Sequence, residues 1–159
     1  MSPARPPGGA VYVSNHESGS IAGYTLASDT GRLTPLPDVV AGKMVMPLAA
    51  DPRGRFLHAL LRSPPYAVQT YAIDASTGAL RLLASTPMPE SMVNATVDRS
   101  GRWLLSAAYG ANALCVQAIH SDGHVEERPA HWLASGGIKP HAVCLDASNR
   151  HAYVHGDGD

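Results

Sequence analysis

Short apolar runs alternate with tight clusters of Asp, Gly, Ser and Asn along the chain, and no long stretch holds the 3.6-residue apolar period of an amphipathic helix. The pattern predicts strands joined by turns, and it repeats. DPRGR (51–55), DRSGR (98–102) and DASNR (146–150) set their aspartates Asp51, Asp98 and Asp146 at spacings of 47 and 48 residues. Each is preceded by a run of small apolar residues (PLAA, ATV, AVCL) and followed by an aromatic-bearing run (FLHALL, WLLSAAY, HAYV), which reads as strand, turn, strand. A second turn signal, in DTGRL, STGAL and SDGHV, places Gly31, Gly78 and Gly123 at spacings of 47 and 45. Two turns per period imply four strands per repeat. A period in the mid-forties with four strands is that of a propeller blade.

Lettering the strands A to D from axis to rim, the small residues Ala49, Ala50, Ala95 and Ala142 fall in A strands, where volume is scarce. Pro35, Pro37 and Pro129 fall in D strands, at the outer edge where a missing backbone donor is tolerated. The expected organisation is a disordered tail over 1–10, strands B to D of blade one over 11–40, blade two over 44–86, blade three over 92–132 and the start of blade four over 138–159. Blade one then lacks its A strand and blade four its C and D strands. Such open sheet edges are expected to favour self-association.

The 159 residues are 45% hydrophobic, enough for a core, and the 15 glycines and 13 prolines leave little room for helices. A formal charge of −1 gives no basic stripe for nucleic acid or an anionic membrane, so neither partner is expected. MSPARPPGGA has no apolar leader segment and no apolar run reaches membrane-spanning length, so a cytoplasmic protein is expected. Cys115 and Cys144 lie in strands of different repeats, outside any CxxC spacing, and are expected to be reduced and buried.

In an antiparallel blade the A–B and C–D turns share one face, and their Asp, Ser and Gly residues are explained by turn chemistry. The opposite face collects the B–C loops and the D-to-A connections. These carry His16, Glu17, Lys43, Arg62, Tyr109, Asn112, Lys139, His155 and Asp157, which turns do not require, with Asn94 and His141 at the mouths of A strands. Polar groups converging on an axial funnel form a small-molecule site. Each also has a structural reading: His141 could bond a loop carbonyl, Arg62 could lie over Tyr66, Asn94 could cap backbone, and Glu17 and Lys139 could be solvated charges. The terminal HGDGD has metal-like residues but no HxH, HExxH or acidic calcium loop, so no metal or other cofactor is expected.

The segments AVYVSNHESGSIAGYTL, MVMPLAADPRGRFLHALLR, TYAIDASTGAL, VNATVDRSGRWLLSAAYGANALCV and KPHAVCLDASNRHAYV together resemble the amino-terminal half of the seven-bladed propeller lactonase family. AYGAN is similar to that family's Asn-Tyr-Gly-Gly-type loop, and PHAV to its Pro-His-Ala-His-Ser segment, with His141 on the second histidine. Two positions depart from it: ASGGIK carries no acidic residue ahead of the His segment, and Asn94 stands where several relatives offer His. The resemblance implies a truncated all-β propeller, about three and a half of seven blades, from an enzyme that hydrolyses a small anionic sugar lactone. The first substrate it suggests is 6-phospho-D-glucono-1,5-lactone of the oxidative pentose phosphate route. It implies His141 as general acid or base and Arg62 and Lys139 as phosphate or carboxylate contacts. Asn94, Tyr109 and Asn112 would position the substrate, with Glu17 at the same mouth. A muconate-type cycloisomerase of the same family and a non-catalytic binding scaffold remain the alternatives.

Overall fold

The computed structural model describes residues 8–158, and within them every regular element is a β-strand. β1 (Gly8–Asn15), β2 (Ser20–Ala27), β3 (Leu33–Pro35) and β4 (Val39–Val40) form the first sheet, in which β3 and β4 both pair with β2. β5 (Val45–Ala50), β6 (Phe56–Leu61), β7 (Ala67–Ile73) and β8 (Leu80–Pro87) form the second, in sequential order. β9 (Asn94–Val97), β10 (Trp103–Ala108), β11 (Ala113–Ala118) and β12 (His131–Ala134) repeat that order, and β13 (Pro140–Leu145) pairs with β14 (Ala152–Gly156). All pairings are antiparallel.

Two details differ from the sequence expectation. β1 begins at Gly8, so residues 8–10 belong to a strand rather than to a tail, and the rest of the expected tail, 1–7, lies outside the described residues. Two of the three prolines expected in D strands lie outside them: Pro37 falls in the gap between β3 and β4, and Pro129 precedes β12, since the chain after β11 first makes a separate bridge between Ile119 and Val125.

Sheets stack because strands such as β6 are apolar on both faces. Leu57, Ala59 and Tyr71 join Ile21 and Val45 in the core between the first two sheets. Leu60 and Val68 join Leu104, Cys115 and Val125 between the second and third. Leu60 and Leu104 are at most 1% exposed, and each such side chain contributes roughly 1.5–3 kcal/mol by leaving water. Tyr71 and Gln69, caught between sheets, are paired: buried Tyr71 donates its hydroxyl to Gln69 Oε1 at 2.6 Å, and Gln69 Nε2 donates to the carbonyl of Ala41 at 2.9 Å.

The Asp-x-x-Gly/Asn-Arg turns stitch neighbouring sheets. Gly54, Gly101 and Asn149 take φ of 67°, 71° and 61°, the left-handed conformation that Gly and Asn tolerate. Asp98 Oδ1 accepts from the backbone of Arg102 and Trp103 at 2.8 and 2.9 Å, closing its own turn. Its other oxygen accepts from Asn149 Nδ2 of the next turn at 2.9 Å, while Asn149 Oδ1 accepts from Arg99 N at 2.9 Å. Burial pushes the Asp98 carboxyl up, but hydrogen bonds from Ser100, Asn149, Trp103 and Arg102 outweigh it and hold the group at about 2.

Cys144 is exposed, contrary to expectation, whereas Cys115 is buried. In β13, Val143 turns inward and is 5% exposed, so alternation sends Cys144 to the opposite side. Among the described residues no sheet packs there, and its cross-strand partner Tyr153 is 60% exposed. Burial also pushes the Cys115 thiol up to about 11. A thiol reagent on the native chain is therefore expected to label Cys144 at once and Cys115 at least about a hundredfold more slowly. Rapid labelling that survives Cys144→Ser would refute this placement.

Candidate functional site

The loop between β10 and β11 and the connection from β12 to β13 meet through Asn112. Its Oδ1 accepts from the backbone N–H of Lys139 at 2.7 Å and from Ser135 Oγ at 3.1 Å, and its carbonyl accepts from Ser135 N at 2.8 Å. Asn112 and Lys139 both have positive φ, 56° and 45°. For lysine that conformation costs roughly 1–2 kcal/mol, which the Asn112 hydrogen bond offsets. The effect is to hold Lys139 beside Tyr109, with Nζ 5.6 Å from the ring centre.

His141 follows immediately, at a break in the β13–β14 register: Pro140 faces Gly156 and Ala142 faces His155, which leaves His141 unopposed. Such bulges re-aim a side chain. His141 Nε2 lies 3.1 Å from Asp157 Oδ2, and Tyr109 Oη donates to the same oxygen at 3.3 Å. The Tyr109 and His141 rings meet edge to face at 4.9 Å, with His155 6.3 Å from His141. Nε2 is the ring nitrogen of His141 that faces Asp157. Nδ1 is buried without a partner. Gly156 makes this approach possible, since a Cβ there would collide with the carbonyl of Ile138.

Tyr109, Asn112, Lys139 and His141 are thus brought together. Asn94 reaches the group only through backbone: its Oδ1 accepts from Val143 N at 2.9 Å, tying β9 to β13. Arg62 is turned to Ser91, donating from Nε at 3.3 Å, rather than lying over Tyr66. Glu17 sits with His16 in the β1–β2 loop, and among the described residues neither it nor Arg62 bonds to the His141 group. Sequence reasoning gave His141 no partner; Asp157 is that partner, and the only cue was the acidic HGDGD run, whose pairing depends on strand register. Among the described residues no group of three or more His, Cys, Asp or Glu is placed to hold a metal.

Two grooves of about 460 Å³ open on the opposite face, along the A–B turns. Their Arg55 is paired with Asp51 at 3.2 Å, and turn residues make up most of their walls. Converging side chains, not groove volume, therefore locate the candidate site. Among the described residues no helix is long and apolar enough to cross a membrane.

Residues 10–158 match the family model described as lactonase, 7-bladed beta-propeller. The 6-phosphogluconolactonase of Serratia proteamaculans is 34% identical over 140 residues, covering 88% of this chain and 41% of that protein. That of Xenorhabdus nematophila is 32% identical, covering 91% and 42%. The periplasmic gluconolactonase of Pseudomonas aeruginosa superposes with a TM-score of 0.71 at 23% identity, covering 80% of this chain and 37% of the other. A Lactobacillus plantarum protein gives 0.77 at 20% identity, covering 94% and 46%. The chain spans about two fifths of the length of the curated relatives it matches. With its sequential antiparallel four-stranded sheets, the chain belongs to the seven-bladed β-propeller lactonase family.

Proposed function

We propose that this chain contributes the His141 side of the active site of a lactone hydrolase, with 6-phospho-D-glucono-1,5-lactone as substrate. The observation that carries the reading is the meeting of His141 with Tyr109 and Lys139 on the loop face. The names of the curated relatives add support. Lactone hydrolysis adds water to the ring carbonyl and breaks the bond to the ring oxygen, so it needs a group to take the water's proton and donors for the oxyanion. In this reading His141 takes that proton at Nε2 and returns it to the departing ring oxygen. Tyr109 Oη stands on the same side as an oxyanion donor, and Lys139 supplies positive charge for the phosphate or the nascent carboxylate. Asn112 and Asn94 hold backbone, and Arg62 and Glu17 remain substrate contacts to be completed by other blades. The pentose phosphate setting and a cytoplasmic location belong to the same reading.

The test is turnover by a protein that carries this chain together with the remaining blades. Acid release from 6-phosphogluconolactone is expected, with no lactonisation of a carboxymuconate. Muconate turnover alone would favour the cycloisomerase, and neither activity would favour a scaffold. The 159-residue chain by itself is expected to be inactive and to self-associate through its open sheet edges.

A further inference from the structure

A carboxylate already occupies the candidate site. Asp157 Oδ2 accepts from Tyr109 Oη at 3.3 Å and lies 3.1 Å from His141 Nε2, and Lys139 stands against the same tyrosine ring. The placement is held by backbone. Asp157 N donates to the carbonyl of Lys139 at 3.4 Å, and the end of β14 runs so close to Ile138 that only glycine fits at position 156. The Asp157 side chain itself is 53% exposed. A phenol donor and an imidazole nitrogen at one oxygen, with an ammonium group over the same phenol ring, suit a carboxylate.

We infer that Tyr109, His141 and Lys139 form a receptor for the carboxylate of an aldonic acid, and that Asp157 fills it in this chain as an internal stand-in. This rests on the lactonase reading for the identity of the ligand. The chemistry agrees: the oxygen of the attacking water becomes a carboxylate oxygen of the ring-opened acid. After it has given its proton to His141 Nε2, that oxygen faces the new Nε2–H from the place beside Nε2 that Asp157 Oδ2 takes here. A sugar lactone would have to displace Asp157 to reach His141, and the acid it yields would compete with Asp157 for the same donors. A tethered carboxylate competes at high effective concentration, so external carboxylates should bind poorly while Asp157 is present.

The experiment is titration of this chain and of its Asp157→Ala variant with sodium gluconate and, separately, sodium acetate, following the ring resonances of Tyr109 and His141 by NMR. The expected result is saturable shifts of both residues in the variant, with a dissociation constant at least about tenfold lower than in the parent chain, the effect of one charge-assisted contact. Adding Tyr109→Phe to the variant should weaken binding again. Absence of saturable shifts in a variant whose Tyr109 and His141 resonances keep their native dispersion would overturn the receptor. Equal affinity in parent and variant would overturn the claim that Asp157 occupies it. No turnover enters either measurement, so failure of the lactonase reading would appear separately, as missing hydrolysis in the complete protein.

Discussion

Replacing His141 by Ala in a protein that carries the remaining blades is expected to lower kcat for lactone hydrolysis by about a hundredfold or more, the usual worth of a positioned acid–base group. KM should change little. The imidazole is 37% exposed, and its strand is held by neighbours that the substitution leaves alone: Pro140 is buried and Val143 N bonds to Asn94. Loss of rate through misfolding is therefore not expected, and circular dichroism with a melting curve would show it. Unchanged turnover in a folded variant would return His141 to a structural role and remove the central residue of the proposed mechanism.

Lowering the pH from 7 to 4 is expected to cost this chain about 3 kcal/mol of stability through His58 alone. His58 in β6 is 0% exposed, with Nδ1 3.2 Å from Thr70 Oγ1 and Nε2 unpartnered. Burial lowers its ionisation from 6.5 to about 4, with Asp51 opposing the shift weakly. The sign follows from the reference state. Between those two values the unfolded chain binds a proton that the folded chain refuses, so the contribution is complete above pH 6.5 and is lost as pH falls toward 4. Asp98, held at about 2, adds its own loss only below the ordinary carboxylate value of 3.8, so the two effects are separable. Urea unfolding midpoints measured across this range should fall steeply in the parent chain and much less in His58→Leu. The slope is the readout, because the variant also changes packing. Equal slopes in the two proteins would show that His58 is charged, or bonded, in the folded state.

Spacing in the sequence determined the architecture. The period of the Asp-x-x-Gly/Asn-Arg turns is local information: an aspartate caps its own turn, and a glycine or asparagine supplies the positive φ, whatever the rest of the chain does. Four strands per repeat, and the face on which the B–C loops gather, follow from that. So His141, Tyr109, Asn112 and Lys139 could be assigned to one mouth from the sequence.

Only the tertiary structure decided what each of these residues touches. Asp157 meets His141 because a register break in β13 and the absence of a side chain at Gly156 bring two strand ends together. Asn112 spends its side-chain oxygen on the backbone of another loop, and Arg62 turns to Ser91. Cys144 looked like any other inward strand residue, yet its burial required a neighbouring sheet, and none of the described residues supplies one. Turn identity is encoded within five residues, as in DPRGR; side-chain partnership depends on register and on which sheet lies across the interface, and neither is written locally in the chain.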